Sequence, residues 1–245
     1  MPARRSPKGE DGYRRNFIVN RIERVPAWPI LHPFMGNIFK TLDTDVTMSQ
    51  LQQAAQRNHP VYINFSAHIQ GRPPEDLMQV LSMMQRFALK QAHILLSSDG
   101  GSVLQGFELH NFLRSMPIEI SMHNTANVDS IANTVFLAAN RTNRTAEPNA
   151  HFLFHGVSTG LGRGKEADIQ AALLSVRRDQ TAIAETLSRY TNMTLRDIRR
   201  ACKSEIVWTA EQAKNRGIIR RVQRLRIPEN AEVINIFDPP EEKKY

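Results

Sequence analysis

Cysteine is almost missing from this chain. Cys202 is the only one, which excludes an intramolecular disulfide and a cysteine metal cluster and fits a reducing compartment. Its neighbours Arg199, Arg200, Lys203 and Glu205 read as an exposed helix end, so Cys202 is expected to be a small, half-buried residue rather than a nucleophile. Long apolar runs are missing too. Nothing approaches the roughly 18 residues of a membrane span, and no apolar core follows the basic N-terminus, as a secretory signal would need. A cytoplasmic protein without a membrane partner is expected. HExxH and comparable ligand spacings are absent, so neither a metal nor a cofactor is predicted. Aromatic residues make up 7% of the chain and are not interleaved with basic ones. That removes the pattern of a nucleic-acid stacking surface.

Acids are outnumbered, 24 against 32 Lys and Arg, giving a net charge of +8. Basicity alone would suggest nucleic acid or an acidic membrane surface. The excess is clustered, however, at Arg4, Arg5, Lys8, Arg14 and Arg15 and again along residues 196–226. The reading taken is a solubilising tail plus a solvated face, with an interaction surface as the alternative. An apolar content of 41% in 245 residues suffices for one large domain with extensions.

Residues 1–15 are charged and read as a flexible tail. Residues 16–60 form an N-terminal arm, broken by Pro26, Pro29 and Pro33 and ending in a short helix, Asp45 to Arg57. Its expected role is packing against a neighbouring subunit or partner. From residue 61 strands and helices alternate. Val61–Phe65 is a strand, 74–90 a helix with Pro74 and two acids at its start, 92–96 a strand, 103–116 a helix and 118–122 a strand. This rhythm predicts an α/β fold, with a parallel sheet covered on both faces and a site at the carboxyl ends of its strands. Both the Gly100-Gly101 turn and Ser130 fall at such ends. Residues 130–139 read as a small helix, 140–147 as a polar turn, and 165–191 as a long helix. Thr194 and Thr209 open capping boxes, and Gly217 closes a helix. Residues 218–222 are expected to give a closing strand, and 228–245 a polar tail with an apolar patch at Val233, Ile234, Ile236 and Phe237.

Ser130 stands at a strand-to-helix junction, and His155 ends a short apolar strand. Taken alone, a serine there is most often a helix cap and a histidine a packed core residue. Three features favour chemistry. His155 belongs to a strand expected beside Ser130, with His151, His123 and His110 as its competitors. Gly100-Gly101 allows backbone N–H groups to approach a substrate. Glu205 precedes the buried-looking Ile206-Val207-Trp208, where an unpaired carboxylate would be costly. Nucleophile, base, acid and oxyanion turn make up an acyl-transfer set. Gly160, Gly162 and Gly164 form a loop that lacks a strand-then-helix phosphate fingerprint.

Several stretches, in order, resemble the proteolytic subunit of the ATP-dependent Clp protease. Ser97-Ser98-Asp99-Gly100-Gly101-Ser102-Val103 is similar to that family's oxyanion turn. Pro148-Asn149-Ala150 precedes His155 at the family's spacing, and 164–169 resembles the start of its long handle helix. Thr209-Ala210-Glu211-Gln212-Ala213-Lys214 with Gly217 resembles a signature near its end, with Glu205 four residues before Thr209 in the place of the family's acid. The resemblance covers about 61–222 and implies a divergent ClpP-like serine peptidase domain over 61–227. The implied fold is the spiral of βαβ units shared with crotonases. It further implies Ser130 as nucleophile, His155 as base, Glu205 as acid, and backbone N–H groups of Gly101 and Ile131 as the oxyanion hole. Polypeptide substrates, a homo-oligomeric ring (heptameric and stacked, with the long helix between rings) and an ATP-driven unfoldase are the implied partners. The chain departs from the family around Ser130. Asp129 puts a negative charge beside the nucleophile, Asn127 and Asn133 replace small residues, and Asp99 replaces a proline.

The leading expectation is a serine endopeptidase that cleaves unfolded polypeptides. An inactive ring subunit on the same scaffold, a crotonase-like acyl-CoA enzyme and, last, a nucleic-acid module are the alternatives.

Overall fold

A computed structural model describes residues 42–160 and 164–239 of the chain. The basic tail, the arm up to residue 41, Gly162 and the last six residues lie outside the described residues, so the expectations placed on them are not addressed.

The first helix, α1 (Thr44–Arg57), begins where the Asp43 carboxylate accepts hydrogen bonds from the N–H groups of Asp45 and Val46, and it ends at Asn58 in the left-handed region. Strand β1 (Val61–Ser66) and helix α2 (Arg72–Arg86) follow. Helix α2 starts two residues before the predicted Pro74, because Pro73 and Pro74 both fit a first turn whose N–H groups lack helical partners anyway. Its apolar stripe of Leu77, Val80, Leu81 and Met84 is 0% exposed, and each such side chain contributes about 1.5–3 kcal/mol by leaving water. Next come β2 (Gln91–Ser98), α3 (Val103–Ser115), β3 (Glu119–Asp129) and a short α4 (Ala132–Phe136). Then β4 (Arg144–Ala146), β5 (His151–Phe154) and the 25-residue α5 (Glu166–Tyr190) precede α6 (Leu195–Ser204), β6 (Ile206–Thr209), α7 (Ala210–Asn215), β7 (Arg221–Val222) and β8 (Glu232–Phe237).

The sheet runs β6-β5-β3-β2-β1-β8, with β4 beside β3 and β7 beside β4. All pairs are parallel except β5 with β6. Crossovers between parallel strands put the carboxyl ends of the parallel strands at one edge of the sheet. Strand β3 is the pivot. Its register against β2 shifts between Leu96 and Ser98, so its first half, Met122–Asn124, pairs with β4 and its last three residues pair with β5. That split brings β5, and His155 after it, alongside the end of β3.

Four local expectations are corrected. The predicted 118–122 strand runs on to Asp129, because polar residues past Met122 find lateral partners: Asn124 donates to the His151 carbonyl at 2.8 Å. The turn read over 140–147 contains β4. The helix read from Ser130 occupies only Ala132–Phe136. The apolar patch expected within a polar tail is β8, which pairs with β1 from Glu232↔Val61 to Phe237↔Ser66. Ile234 and Ile236 are buried while Asn235 and Phe237 are exposed, the period-two pattern of an edge strand with one covered face.

Arg144 on β4 is 1% exposed and donates to the Tyr190 carbonyl at 3.0 Å, which ties the end of α5 to the sheet. Burial, with Arg141 and Arg114 nearby, lowers its pKa to about 10, so it stays charged at neutral pH. Among the described residues no helix is long and apolar enough to cross a membrane.

Candidate active site

Strand β3 ends at Asp129, and the chain turns sharply into α4. Ser130 makes that turn with φ 55°, a conformation that costs a non-glycine residue about 1–2 kcal/mol and that holds its hydroxyl at the mouth of the strand-to-helix junction. Opposite lies the β2–α3 turn, where Gly100 has φ 97°. A Cβ there would stand 2.7 Å from Ser130 Cβ and 2.9 Å from the Asp129 carbonyl oxygen, so only glycine lets the two turns touch. Gly106 on α3 does the same for the residue after the serine: a Cβ there would sit 2.2 Å from Ile131 Cγ1.

One cleft of about 180 Å³ brings together Ser130, His155, Gly101 and Asp99, with Phe154 and Cys202 among its apolar walls. His151 is not in that lining. Its Nε2 lies 3.6 Å from Asp129 Oδ1. His123 bonds Thr145 and Glu147, and His110 bonds the Thr134 carbonyl. Burial holds both pKa values below the usual histidine range. Of the four histidines, His155 alone shares the serine's cleft.

His155 Nδ1 lies 2.7 Å from the carbonyl oxygen of Gly156. A carbonyl only accepts, so Nδ1 carries a proton, and in the neutral ring the lone pair is on Nε2. The two N–H groups expected to receive an oxyanion, those of Gly101 and Ile131, make no hydrogen bond among the described residues. At Gly101 the neighbouring rungs carry the pairing, Ile69 N–H to the Gly100 carbonyl and Ser102 N–H to the Ile69 carbonyl. Both donors are therefore unspent, as an oxyanion site requires.

Glu205 is placed differently. It caps α6 with φ 49° and is exposed, so it bears none of the burial penalty expected from the apolar residues after it. Val207 faces outward at 52% exposure while Trp208 faces in. No hydrogen bond joins Glu205 to His155 among the described residues. Glu205 borders a second cleft with Gly156, Val157, Arg177, Arg199 and Lys203. That cleft shares Val157 and Cys202 with the first. Burial raises the Cys202 pKa, which keeps it a thiol.

The residues that break the small-residue pattern around the serine are all engaged. Asp129 Oδ1 accepts from Leu153 N–H at 3.1 Å and Oδ2 from Asn127 at 3.0 Å. Asn127 also donates to Asp99 at 2.7 Å and accepts from Ser97 Oγ at 2.7 Å. Asn133 donates to the Ser130 and Leu153 carbonyls at 3.1 and 2.9 Å. Asp129 is not in the lining of the serine's cleft. Sequence reasoning took these side chains as intrusions. Their use shows only in the pairing of β3 with β5.

Comparison with known proteins finds the same family and fold. A family model described as Clp protease matches residues 39–226. The ATP-dependent Clp protease proteolytic subunit 1 of Corynebacterium jeikeium is 25% identical over 144 residues, 59% of this chain and 76% of the relative. Proteolytic subunit 3 of Rhizobium etli is 27% identical over 129 residues, 53% of this chain and 66% of the relative. The solved structure of a ClpP1 mutant from Listeria monocytogenes superposes with a TM-score of 0.64 at 19% identity, covering 71% of this chain and 96% of that one.

Proposed function

This chain belongs to the Clp protease family, and on that premise we propose that it is a serine endopeptidase acting on unfolded polypeptides. The observation that carries the reading is the shared cleft. Ser130 and His155 line it together with Gly101, and the N–H groups of Gly101 and Ile131 have no other partner among the described residues.

A substrate strand lies beside the Gly100-Gly101 turn and pairs with its backbone. Ser130 Oγ attacks the scissile carbonyl carbon as His155 Nε2 takes its proton. The carbonyl oxygen becomes an oxyanion held by the two N–H groups. The C–N bond then breaks, the imidazolium returns the proton to the leaving amine, and water hydrolyses the acyl-enzyme by the same steps. The Gly156 carbonyl fixes the imidazole tautomer. Glu205, which borders the neighbouring cleft with Gly156 and Val157, takes the place of the acid without a direct hydrogen bond to His155.

The assembly belongs to the same proposal: stacked heptameric rings in the cytoplasm, fed by an ATP-driven unfoldase, with α5 between rings. The exposed Ile169, Leu173 and Leu174 on α5, at 47%, 47% and 65%, suit burial against another copy. A second reading, an inactive ring subunit, is favoured by the missing His155–Glu205 hydrogen bond. The two separate on digestion of a denatured, fluorescently labelled polypeptide by the isolated oligomer, alone and with an unfoldase. Peptide fragments made by the native protein and not by Ser130→Ala support the peptidase. An intact ring that yields no fragments in either condition supports the structural subunit.

A further inference from the structure

The last rung of the β3–β5 ladder is Asp129↔Leu153. Beyond it the main chain makes one further bond, Ser130 N–H to the Leu153 carbonyl, and then leaves the ladder, because Ser130 turns into the left-handed region. We propose that Asp129 and Asn133 are positioning residues that continue this ladder with their side chains and thereby hold His155 at its working distance from Ser130. The proposal rests on the peptidase reading and adds two residues to its machinery.

Leu153, two residues before His155, has both polar main-chain groups taken by residues around the serine. Its N–H donates to Asp129 Oδ1 at 3.1 Å. Its carbonyl accepts from the Ser130 N–H at 3.0 Å and from the Asn133 amide at 2.9 Å. The same amide group donates to the Ser130 carbonyl at 3.1 Å. Asn133 is 2% exposed, and its Oδ1 has no partner, so its orientation is set by donation to those two carbonyls alone. The free oxygen of Asp129 is secured by Asn127, which Ser97 holds in turn. Three hydrogen bonds thus link the serine's turn to the histidine's strand, and the two made by side chains are partly shielded from solvent, where such bonds are stronger than in water. A family pattern of small residues could make none of the side-chain ones. Since a misplacement of about 1 Å can cost on the order of 10²-fold in rate, loosening this link should act on the chemical step rather than on substrate binding.

The test uses the full chain as Asp129→Ala, Asp129→Asn and Asn133→Ala, each first shown to be folded by thermal melting. Phosphonylation of Ser130 by a fluorophosphonate is followed over a range of reagent concentrations, which separates the limiting rate from the apparent affinity. Asp129→Ala and Asn133→Ala should lower the limiting rate about 30-fold or more and leave apparent affinity within about threefold. Asp129→Asn should recover most of the rate, because an amide oxygen still accepts from Leu153 N–H. Hydrogen exchange at the Leu153 amide is the second readout, faster in Asp129→Ala and near native in Asp129→Asn. Folded Asp129→Ala and Asn133→Ala proteins that label at the native rate would overturn the proposal. If the native protein does not label at all, it is the peptidase reading that fails. The amide then decides alone, and unchanged exchange in Asp129→Ala overturns the side-chain ladder.

Discussion

Ser130 and Glu205 have the same backbone problem and opposite surroundings. Each is a non-glycine residue in the left-handed region, at φ 55° and 49°; Ser130 follows β3 in the cleft it shares with His155, and Glu205 follows α6 at the neighbouring cleft. Around Ser130 the strain is locked in. Gly100 leaves no room for a side chain beside its Cβ, its N–H and carbonyl are both bonded, and the next nine residues are buried. Around Glu205 nothing comparable holds. It is an exposed helix cap beside a cationic cleft, and the histidine it would serve is bonded to a main-chain carbonyl instead. Strain persists where the surroundings over-determine it and tends to mark working geometry. The same angle in a loose setting is a cap. The difference teaches that the backbone is held tightly at Ser130, the proposed nucleophile, and only loosely at Glu205, the proposed acid.

That contrast can be broken most sharply at the nucleophile. Ser130→Ala and His155→Ala should each lower peptide hydrolysis by about 10⁴-fold or more, measured as kcat/KM on a fluorogenic peptide. Gly100→Ala comes next. It meets Ser130 Cβ at 2.7 Å and adopts φ 97°, so it should cost on the order of 10²-fold in rate and about 1–3 kcal/mol in a urea titration. Glu205→Gln should have a much smaller effect, less than about tenfold in kcat, against the roughly 10⁴-fold loss seen when a directly bonded triad acid is neutralised. Smallest is Glu205→Gly, which should raise stability by about 1 kcal/mol, because glycine adopts the left-handed cap without strain. The mirror-image experiment at Ser130 would abolish activity.

Much of this contrast was not legible in the sequence. The alternation of strands and helices was, because buried parallel strands are continuously apolar and the helices carry a 3.6-residue period: β1, β2, α2, α3 and α5 lie where the pattern puts them. So were the capping boxes at Thr194 and Thr209, which depend on neighbouring residues alone. Strands β4 and β8 escaped because their partners are distant in sequence. Three residues around Arg144 have no period of their own, and β8 hides its alternation behind a polar approach. Ser130 and His155 stand out in the sequence at strand ends, and Gly101 and Ile131 follow from the family resemblance; Ser130, His155 and Gly101 line one cleft, while Ile131 is not in its lining. Glu205 stands in the sequence at the edge of the apolar Ile206-Val207-Trp208, where an unpaired carboxylate would be costly. An antiparallel edge strand faces alternately in and out, however, and Val207 and Glu205 fall on the outer side. Asp129 and Asn133 could not have been read correctly, since their function depends on a main-chain group twenty or more residues away.

The most direct test of a site preorganised at the serine and loose at the acid is fluorophosphonate labelling of the assembled oligomer, quantified by intact mass. The native protein, Ser130→Ala, His155→Ala and Glu205→Gln would be compared at one reagent concentration. The account predicts labelling of the native protein, none in Ser130→Ala or His155→Ala, and a Glu205→Gln rate within about tenfold of native. A Glu205→Gln protein as inert as His155→Ala, or a folded native ring that never labels, would contradict it.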